Sequence, residues 1–318
     1  MGVAGSLATP DTMQRMPTRH SLRRFGVLAV AVLVSTSSCS SSSDSSPSSL
    51  AEPLQAVIPV PENSPTLARI AASGRLRVGV KFDVPLFGFQ DKNTKELSGF
   101  DIEIANAIAE DLFPNDPSAK GRIDFIEALS KNREQLLREA TVDLVISTYT
   151  INDARKQLVD FAGPYYIAGQ DILASAGAVR AGRVRGIGDL AGKRVCSVTG
   201  STSLANLRAA APEADTSVTK DKYSECFEAL KSGEVEAMTT DDVILLGLAQ
   251  GFPEFALTGN PFHTEPYGIG IAKDDFELRR LVNRVLLEMF SDGRWAEAFR
   301  RTVGQTGALV PSPPELDQ

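Results

Sequence analysis

The sequence predicts an α/β protein with two lobes built on largely parallel sheets. Two observations carry this. From Ser64 onward, short apolar runs rich in β-branched residues alternate with helix-period segments, the pattern of successive βα units. The pattern then restarts after the turn at 188–192, as though a second unit of the same kind follows the first. A cleft between two α/β lobes is a place where small ligands bind, so function is expected there.

The elements follow in order. Residues 75–80 (RLRVGV) read as the first strand, and 99–109 as a helix with Ile102, Ala105, Ile108 and Ala109 on one face. Strand 123–126, helix 131–139 and strand 143–147 come next. A polar turn then carries Thr148 and Thr150, a short helix carries Arg155, and an apolar segment closes in a Gly-Pro-Tyr bend at 163–165. The first lobe is expected to end near Tyr166. In the second lobe, 188–198 is turn then strand, and 200–203 opens a helix running through 209. Strand 217–219, helix 223–232 and strand 235–239 continue it. Asp241 and Asp242 suit the N-cap and first turn of a helix over 243–250. Strand 267–272 and amphipathic helices at 275–290 and 294–303 complete the pattern.

The N-terminus reads as an address. Arg15, Arg19, Arg23 and Arg24 precede a short apolar core over 26–34, followed by STSSC ending at Cys39. That core is shorter than the roughly 20 residues needed to span a bilayer. A basic flank, a short apolar core and small residues describe a secretory signal over 1–38. A cysteine directly after the boundary resembles a lipobox, with Thr36 where such boxes usually carry Leu, so Cys39 is the expected lipidation site. Ordinary cleavage beside an incidental Cys39 is the plainer alternative. Residues 39–65 are rich in Ser and Pro, bury nothing, and are expected to be a flexible tether. Together these imply a folded domain held off the outer face of the cell membrane by a lipid anchor. Met13 or Met16 would serve equally well as a start.

The chain has 33 Lys and Arg against 40 Asp and Glu, a formal charge of −7. Losing 1–38 removes four arginines and one aspartate and moves it to about −10, which argues against a nucleic-acid partner. Beyond Cys39 only Cys196 and Cys226 remain, an even pair in an exported chain. A disulfide is expected; two thiols and a lone remaining histidine, His263, argue against a metal site. No cofactor is expected.

The most informative stretch is DLVISTYTINDAR at 143–155, running on to FAGPYY at 161–166. A guanidinium facing two hydroxyls beside exposed backbone N–H groups is a complete receptor for one carboxylate. Taken alone, Arg155 reads as readily as a surface ion pair. The whole run resembles the signature of family-3 solute-binding proteins of amino-acid ABC importers. Further markers are LRVG at 76–79, GFD at 99–101, VTGSTS at 198–203 and TTD at 239–241. The likeness covers 66–306 and is strongest to glutamate- and aspartate-binding lipoproteins.

That resemblance implies a type II periplasmic-binding-protein-like fold with two hinge crossings and a ligand cleft between the lobes. Lobe 1 would comprise 66–166 and a return segment at 267–306, lobe 2 would be 167–266, and 307–318 a C-terminal tail. It implies that Arg155, with Thr148 and Thr150, holds the ligand α-carboxylate, and that Asp241 pairs the ammonium. Ser201 and Thr202 stand at a helix N-terminus that favours an anion, although they also suit simple capping. Lys81, after the first strand, would face a side-chain carboxylate; a loop lysine is otherwise simply solvated. Phe87 and Phe89 would cover the aliphatic part of the ligand or serve the core. Tyr149 departs from the usual pattern and is expected to alter the side-chain pocket.

The implied function is capture of an acidic L-amino acid (glutamate or aspartate, with glutamine and asparagine as further options) by hinge closure, and delivery to permease and ATPase subunits by a monomer. Two rivals use the same scaffold. One is a sensor reporting occupancy to a membrane signalling protein, and the other a dehydratase-like enzyme. The mature chain has one histidine, His263, and no evident base–nucleophile pair near the cleft motifs, which argues against the enzyme. GDLAGKR at 188–194 has failed Walker spacing and lacks the Ser/Thr, so nucleotide hydrolysis is unsupported.

Overall fold

A computed structural model describes residues 63–317. The signal segment 1–38, Cys39 and the tether up to residue 62 lie outside the described residues. Helix α1 (Pro65–Ser73) has Pro at its first position and Ser64 as its cap, whose hydroxyl accepts from the Leu67 N–H.

Among the described residues twelve strands follow. β1 (Leu76–Val80), the short β2 (Asp83–Val84), β3 (Gly88–Gln90) and β4 (Leu97–Ser98), β5 (Ile123–Glu127) and β6 (Leu144–Val145) precede the long β7 (Asp160–Ser175). β8 (Val195–Val198), β9 (Thr219–Lys220), β10 (Ala237–Asp241), β11 (Phe255–Leu257) and β12 (His263–Ile271) come after it. β2, β3 and β4 form a small antiparallel sheet, and the rest a nine-stranded sheet in the order β5-β1-β6-β12-β7-β10-β8-β9, with β11 also on β7.

The pairing gives two similar halves. In the first, β5, β1 and β6 run parallel and β12 closes against β6 antiparallel. In the second, β9, β8 and β10 run parallel and β7 closes against β10 antiparallel. Between them β7 and β12 pair antiparallel from Asp160–Ile271 to Gln170–His263. Residues 166–167 and 266–267, the expected lobe boundaries, therefore fall inside these two strands.

Helices cover both halves: α2 (Phe100–Leu112), α3 (Arg133–Arg138), α4 (Asp153–Lys156) and α5 (Ala176–Arg180), then α6 (Thr202–Ala210), α7 (Tyr223–Ser232), α8 (Asp242–Ala249), α9 (Phe276–Asp292) and α10 (Arg294–Arg301). A cluster of aromatic rings from Phe87, Phe100, Tyr165, Tyr166, Tyr267, Trp295 and Phe299 packs largely edge to face beneath the crossing strands. Cys196 on β8 and Cys226 on α7 are joined as a disulfide with Cα atoms 5.5 Å apart and a sequence separation of 30. Closing a loop of that length is worth roughly 3–4 kcal/mol in the chain-entropy account.

Three readings of the sequence need correction. The strand read at 143–147 pairs only over Leu144–Val145. Asp143 is instead an anchor, its carboxylate accepting from the Arg77 N–H and from the Arg69 and Arg77 guanidiniums. The strand read at 217–219 lies at Thr219–Lys220. The Gly-Pro-Tyr segment closes no bend. It sits inside the sixteen-residue β7, with Gly163 at φ +106° and a cis bond to Pro164. The tail ends against this same segment: the Asp317 N–H donates to Gly163 O at 2.8 Å, and its carboxylate pairs with Lys156.

Candidate ligand-binding site

Arg155 stands in the single turn of α4, where Asn152 Oδ1 accepts its backbone N–H at 2.9 Å. It is not a surface arginine: only 7% of it is exposed. Nη1 donates to Thr150 O at 2.7 Å, Nη2 to Gly200 O at 3.3 Å, and Nε lies 3.4 Å from Glu134 Oε1. Burial, with the nearby Arg133 charge, pulls its pKa down to about 10, so it remains a cation at neutral pH. The contact to Gly200 joins the two halves of the molecule. Gly200 is required there, because it has φ +77° and a Cβ would fall 2.6 Å from Lys131 Cα.

Thr148 is held at φ +43°, its N–H donating to Asp101 Oδ2 at 3.0 Å and its hydroxyl to Ser147 O. Asp101 also accepts from Tyr165 OH at 2.5 Å; burial raises its pKa to about 6. Thr150 and Thr202 meet across the halves, their hydroxyl oxygens 3.4 Å apart, and Thr202 donates to Glu265 Oε2 at 2.7 Å. Ser201 is committed to capping α6: its Oγ accepts from Leu204 N–H and donates to Val198 O. Its hydroxyl therefore serves the helix, which leaves the first-turn N–H groups as the anion-favouring feature there.

Asp241 occupies the N-cap position of α8 yet makes no capping hydrogen bond, contrary to the expectation for this residue. Its carboxylate is drawn instead to hydroxyl donors: Tyr267 OH at 2.6 Å and Ser203 Oγ at 3.3 Å. It is 3% exposed. Burial first, then the Glu265 charge, hold its pKa well above the usual carboxylate range. Asp242 beside it accepts from the Val243 and Gly169 N–H groups.

Lys81 is not solvated. It is fully buried, donates to Ser130 Oγ at 2.9 Å, and lies 5.4 Å from the Tyr223 ring centroid. Desolvation, followed by the Arg133 charge, lowers its pKa to about 7, with Asp83 and Glu127 opposing. Phe87 is also fully buried, with ring centroids 5.4 to 5.8 Å from Phe100, Tyr166 and Tyr267. Such burial contributes about 1.5–3 kcal/mol, so Phe87 is a core residue, placed under the tyrosine that holds Asp241. Phe89 instead lines a separate cleft of about 810 Å³ between the small sheet and α7–α8. Tyr149 lies behind Arg155 with no exposed surface, which removes it from the wall of a side-chain pocket.

Several residues here escaped the sequence reading. Arg133 is 2% exposed, and its Nη1 donates to Ser147 O and Thr148 O. Ser130, Tyr223, Tyr267 and Glu265 complete the polar contacts. Nothing in the sequence marks them, since each sits in an ordinary strand, turn or helix and acquires its partner only through the sheet crossing. The halves also meet at the surface: Lys131 pairs with Asp221 at 2.5 Å, Lys222 with Glu127, and the Ser224 N–H donates to Asp83 Oδ2 at 3.1 Å. Among the described residues no group of His, Cys, Asp and Glu could hold a metal ion, and no helix is long and apolar enough to cross a membrane.

The site thus opposes cations of the first half (Arg155, Arg133, Lys81) to a carboxylate of the second (Asp241). Comparison with known proteins identifies the family. The chain is 38% identical over 244 residues to the ABC transporter glutamine-binding protein GlnH of Bacillus subtilis, covering 76% of this chain and 86% of that protein. It is 35% identical over 248 residues to the glutamate-binding protein GluB of Corynebacterium efficiens, covering 75% and 82%. Among solved structures, a solute receptor for L-cysteine of Neisseria gonorrhoeae superposes with a TM-score of 0.71 at 28% identity, covering 79% of this chain and 98% of that one. All three relatives are binding proteins rather than enzymes. The profile of the bacterial extracellular solute-binding proteins, family 3, matches residues 76–305, and the chain belongs to that family.

Proposed function

We propose that this protein captures an acidic L-amino acid between its two lobes and presents it to the permease of an ABC importer. Arg155, supported by the turn carrying Thr148 and Thr150, takes the α-carboxylate. Asp241, with Ser203 and Tyr267 orienting it, takes the ammonium, and Lys81 takes the side-chain carboxylate. Lobe 1 (66–166 and 267–306) and lobe 2 (167–266) hinge where β7 and β12 cross. Lipidation at Cys39 and the tether hold the domain at the outer face of the membrane.

The observation that carries this reading is the burial of opposite charges on opposite halves. Arg155 and Asp241 are each more than nine-tenths buried; the partners of Asp241 are hydroxyls, and those of Arg155 are two carbonyls and, at 3.4 Å, the edge of Glu134, which leaves most of each charge without a close counter-ion. A buried charge is expensive without a counter-charge, and a zwitterion supplies one to each half.

Glutamine is a second reading, favoured by Lys81 itself. With its pKa near 7 and Ser130 Oγ as its hydrogen-bond partner, it also suits a neutral carboxamide. Calorimetry on protein unfolded and refolded free of ligand, titrated with glutamate, aspartate, glutamine and asparagine, tests both. A dissociation constant on the order of 1 μM for glutamate with weaker glutamine supports the first reading, and the reverse order supports the second. If none of the four binds at millimolar concentration, the function is wrong.

A further inference from the structure

Tyr149, expected from the sequence to depart from the family pattern, is flanked by the carbonyls that hold two guanidiniums. Arg133 Nη1 donates to Ser147 O (3.0 Å) and Thr148 O (3.4 Å), and Arg155 Nη1 donates to Thr150 O (2.7 Å). Both guanidiniums lie against the Tyr149 ring, with their central carbons 4.2 Å (Arg133) and 4.9 Å (Arg155) from its centroid. Phe161 packs against the same ring with centroids 4.8 Å apart. On β12, Gly270 makes room for it: a Cβ there would sit 2.8 Å from Tyr149 Cε1. Tyr149 and Arg133 are 0% and 2% exposed, so neither ring nor guanidinium moves freely.

We infer that Tyr149 and Arg133 are positioning residues for the α-carboxylate receptor: the ring fixes the plane of the Arg155 guanidinium, and Arg133 fixes the turn bearing Thr148 and Thr150. The inference rests on Arg155 being the carboxylate clamp. Two like charges packed this closely repel, and the electron-rich ring face compensates both by cation–π attraction. A fork that must meet a carboxylate with two parallel N–H groups benefits from having its plane fixed before the ligand arrives. Because every α-amino acid carries the same carboxylate, this device acts on affinity for all ligands equally and leaves the choice among side chains to Lys81 and its neighbours.

The test is calorimetric titration of glutamate and of glutamine into wild type, Tyr149→Leu, Tyr149→Phe and Arg133→Met, with thermal unfolding of each. Tyr149→Leu should weaken both ligands by the same factor, about tenfold, or about 1.4 kcal/mol. Tyr149→Phe, which keeps the ring face, should bind within about twofold of wild type. Arg133→Met should repeat the uniform loss. A Tyr149→Leu protein that folds and binds as wild type does, or one that changes the glutamate-to-glutamine ratio, overturns the inference; the second result would return Tyr149 to the side-chain pocket. If Tyr149→Leu does not fold, Arg133→Met decides alone, and if neither folds the pair is a fold determinant and the assignment falls. Failure of wild type to bind either ligand would refute the proposed function instead.

Discussion

The two halves of the site are built in opposite ways. The cationic half is assembled from loops. Arg155 sits in a one-turn helix, Thr148 and Thr150 in the turn before it, and Lys81 at the exit of β1, all locked by carbonyls, hydroxyls and one ring. The anionic half is assembled from regular structure. Asp241 ends β10, and the tyrosine that holds it belongs to the crossing strand β12. The cations are held chiefly by their own half, with Arg155 also reaching Gly200 O and Lys81 the Tyr223 ring across the cleft, whereas Asp241 is oriented by the crossing strand β12. Under the proposed function, the first half would recognise the ligand and the second would report whether the hinge has closed.

Mutations can break this comparison, and the largest effect should come from Arg155. Arg155→Lys replaces a planar fork by a point charge and should weaken every amino-acid ligand by at least about 100-fold in calorimetry, with little change in melting temperature. A loss below about fivefold would remove Arg155 from the clamp.

Asp241 should show its effect in binding and in pH dependence. Its carboxylate pKa is higher in the folded protein than the ordinary value of 3.8. From about pH 4 upward the folded state thus keeps a proton that the unfolded chain has released, and ligand-free stability should fall as the pH rises toward 7. Asp241→Asn should flatten that fall and weaken binding by about 30-fold, a size typical of an unpaired buried ammonium. Lys81 works in the other direction. Its folded pKa, about 7, lies below 10.5, so its burial penalty is complete at low pH and is relieved as the pH rises from 7 toward 10.5. Denaturant melts of each variant across pH 4 to 10 would separate the two; equal profiles for wild type and Asp241→Asn would contradict the assignment.

Specificity should change by a smaller amount. Lys81→Met is expected to weaken glutamate about tenfold and glutamine about twofold or less, measured as a ratio of dissociation constants. Equal losses would take Lys81 out of side-chain recognition. The smallest effect belongs to the surface pairs Lys222–Glu127 and Lys131–Asp221, which are partly exposed and individually weak. Lys222→Gln should speed ligand dissociation by a few fold at low salt and by less at 0.5 M salt, where screening already weakens the pair.

How much of this was legible in the sequence follows from the same contrast. The loop half could be read, because Arg155, Thr148 and Thr150 lie within eight residues and form one chemical unit. The α/β class, the two-lobe plan and the Cys196–Cys226 pair could be read for similar reasons, from local alternation and from a count of two. Of the regular half, Asp241, Ser201 and Thr202 could be named through the resemblance, but not their partners. That Asp241 turns from its helix to Tyr267 depends on β7 and β12 crossing side by side, a contact between distant segments. Strand β7 was hidden because Gly163 and Pro164 stand near its start, where they break a strand pattern even though the strand continues. Phe87 and Tyr149 read as ligand neighbours because aromatic residues in binding loops and aromatic residues in cores look alike until packing is known.

Small-angle scattering tests the central claim, that neither half satisfies the ligand alone and that occupancy therefore drives closure. Wild-type protein freed of ligand should lose radius of gyration when saturated with glutamate or glutamine, whereas Asp241→Ala, saturated to the same degree, should keep its ligand-free radius. A wild-type radius that does not change on saturation would contradict hinge closure and leave a rigid pocket in its place.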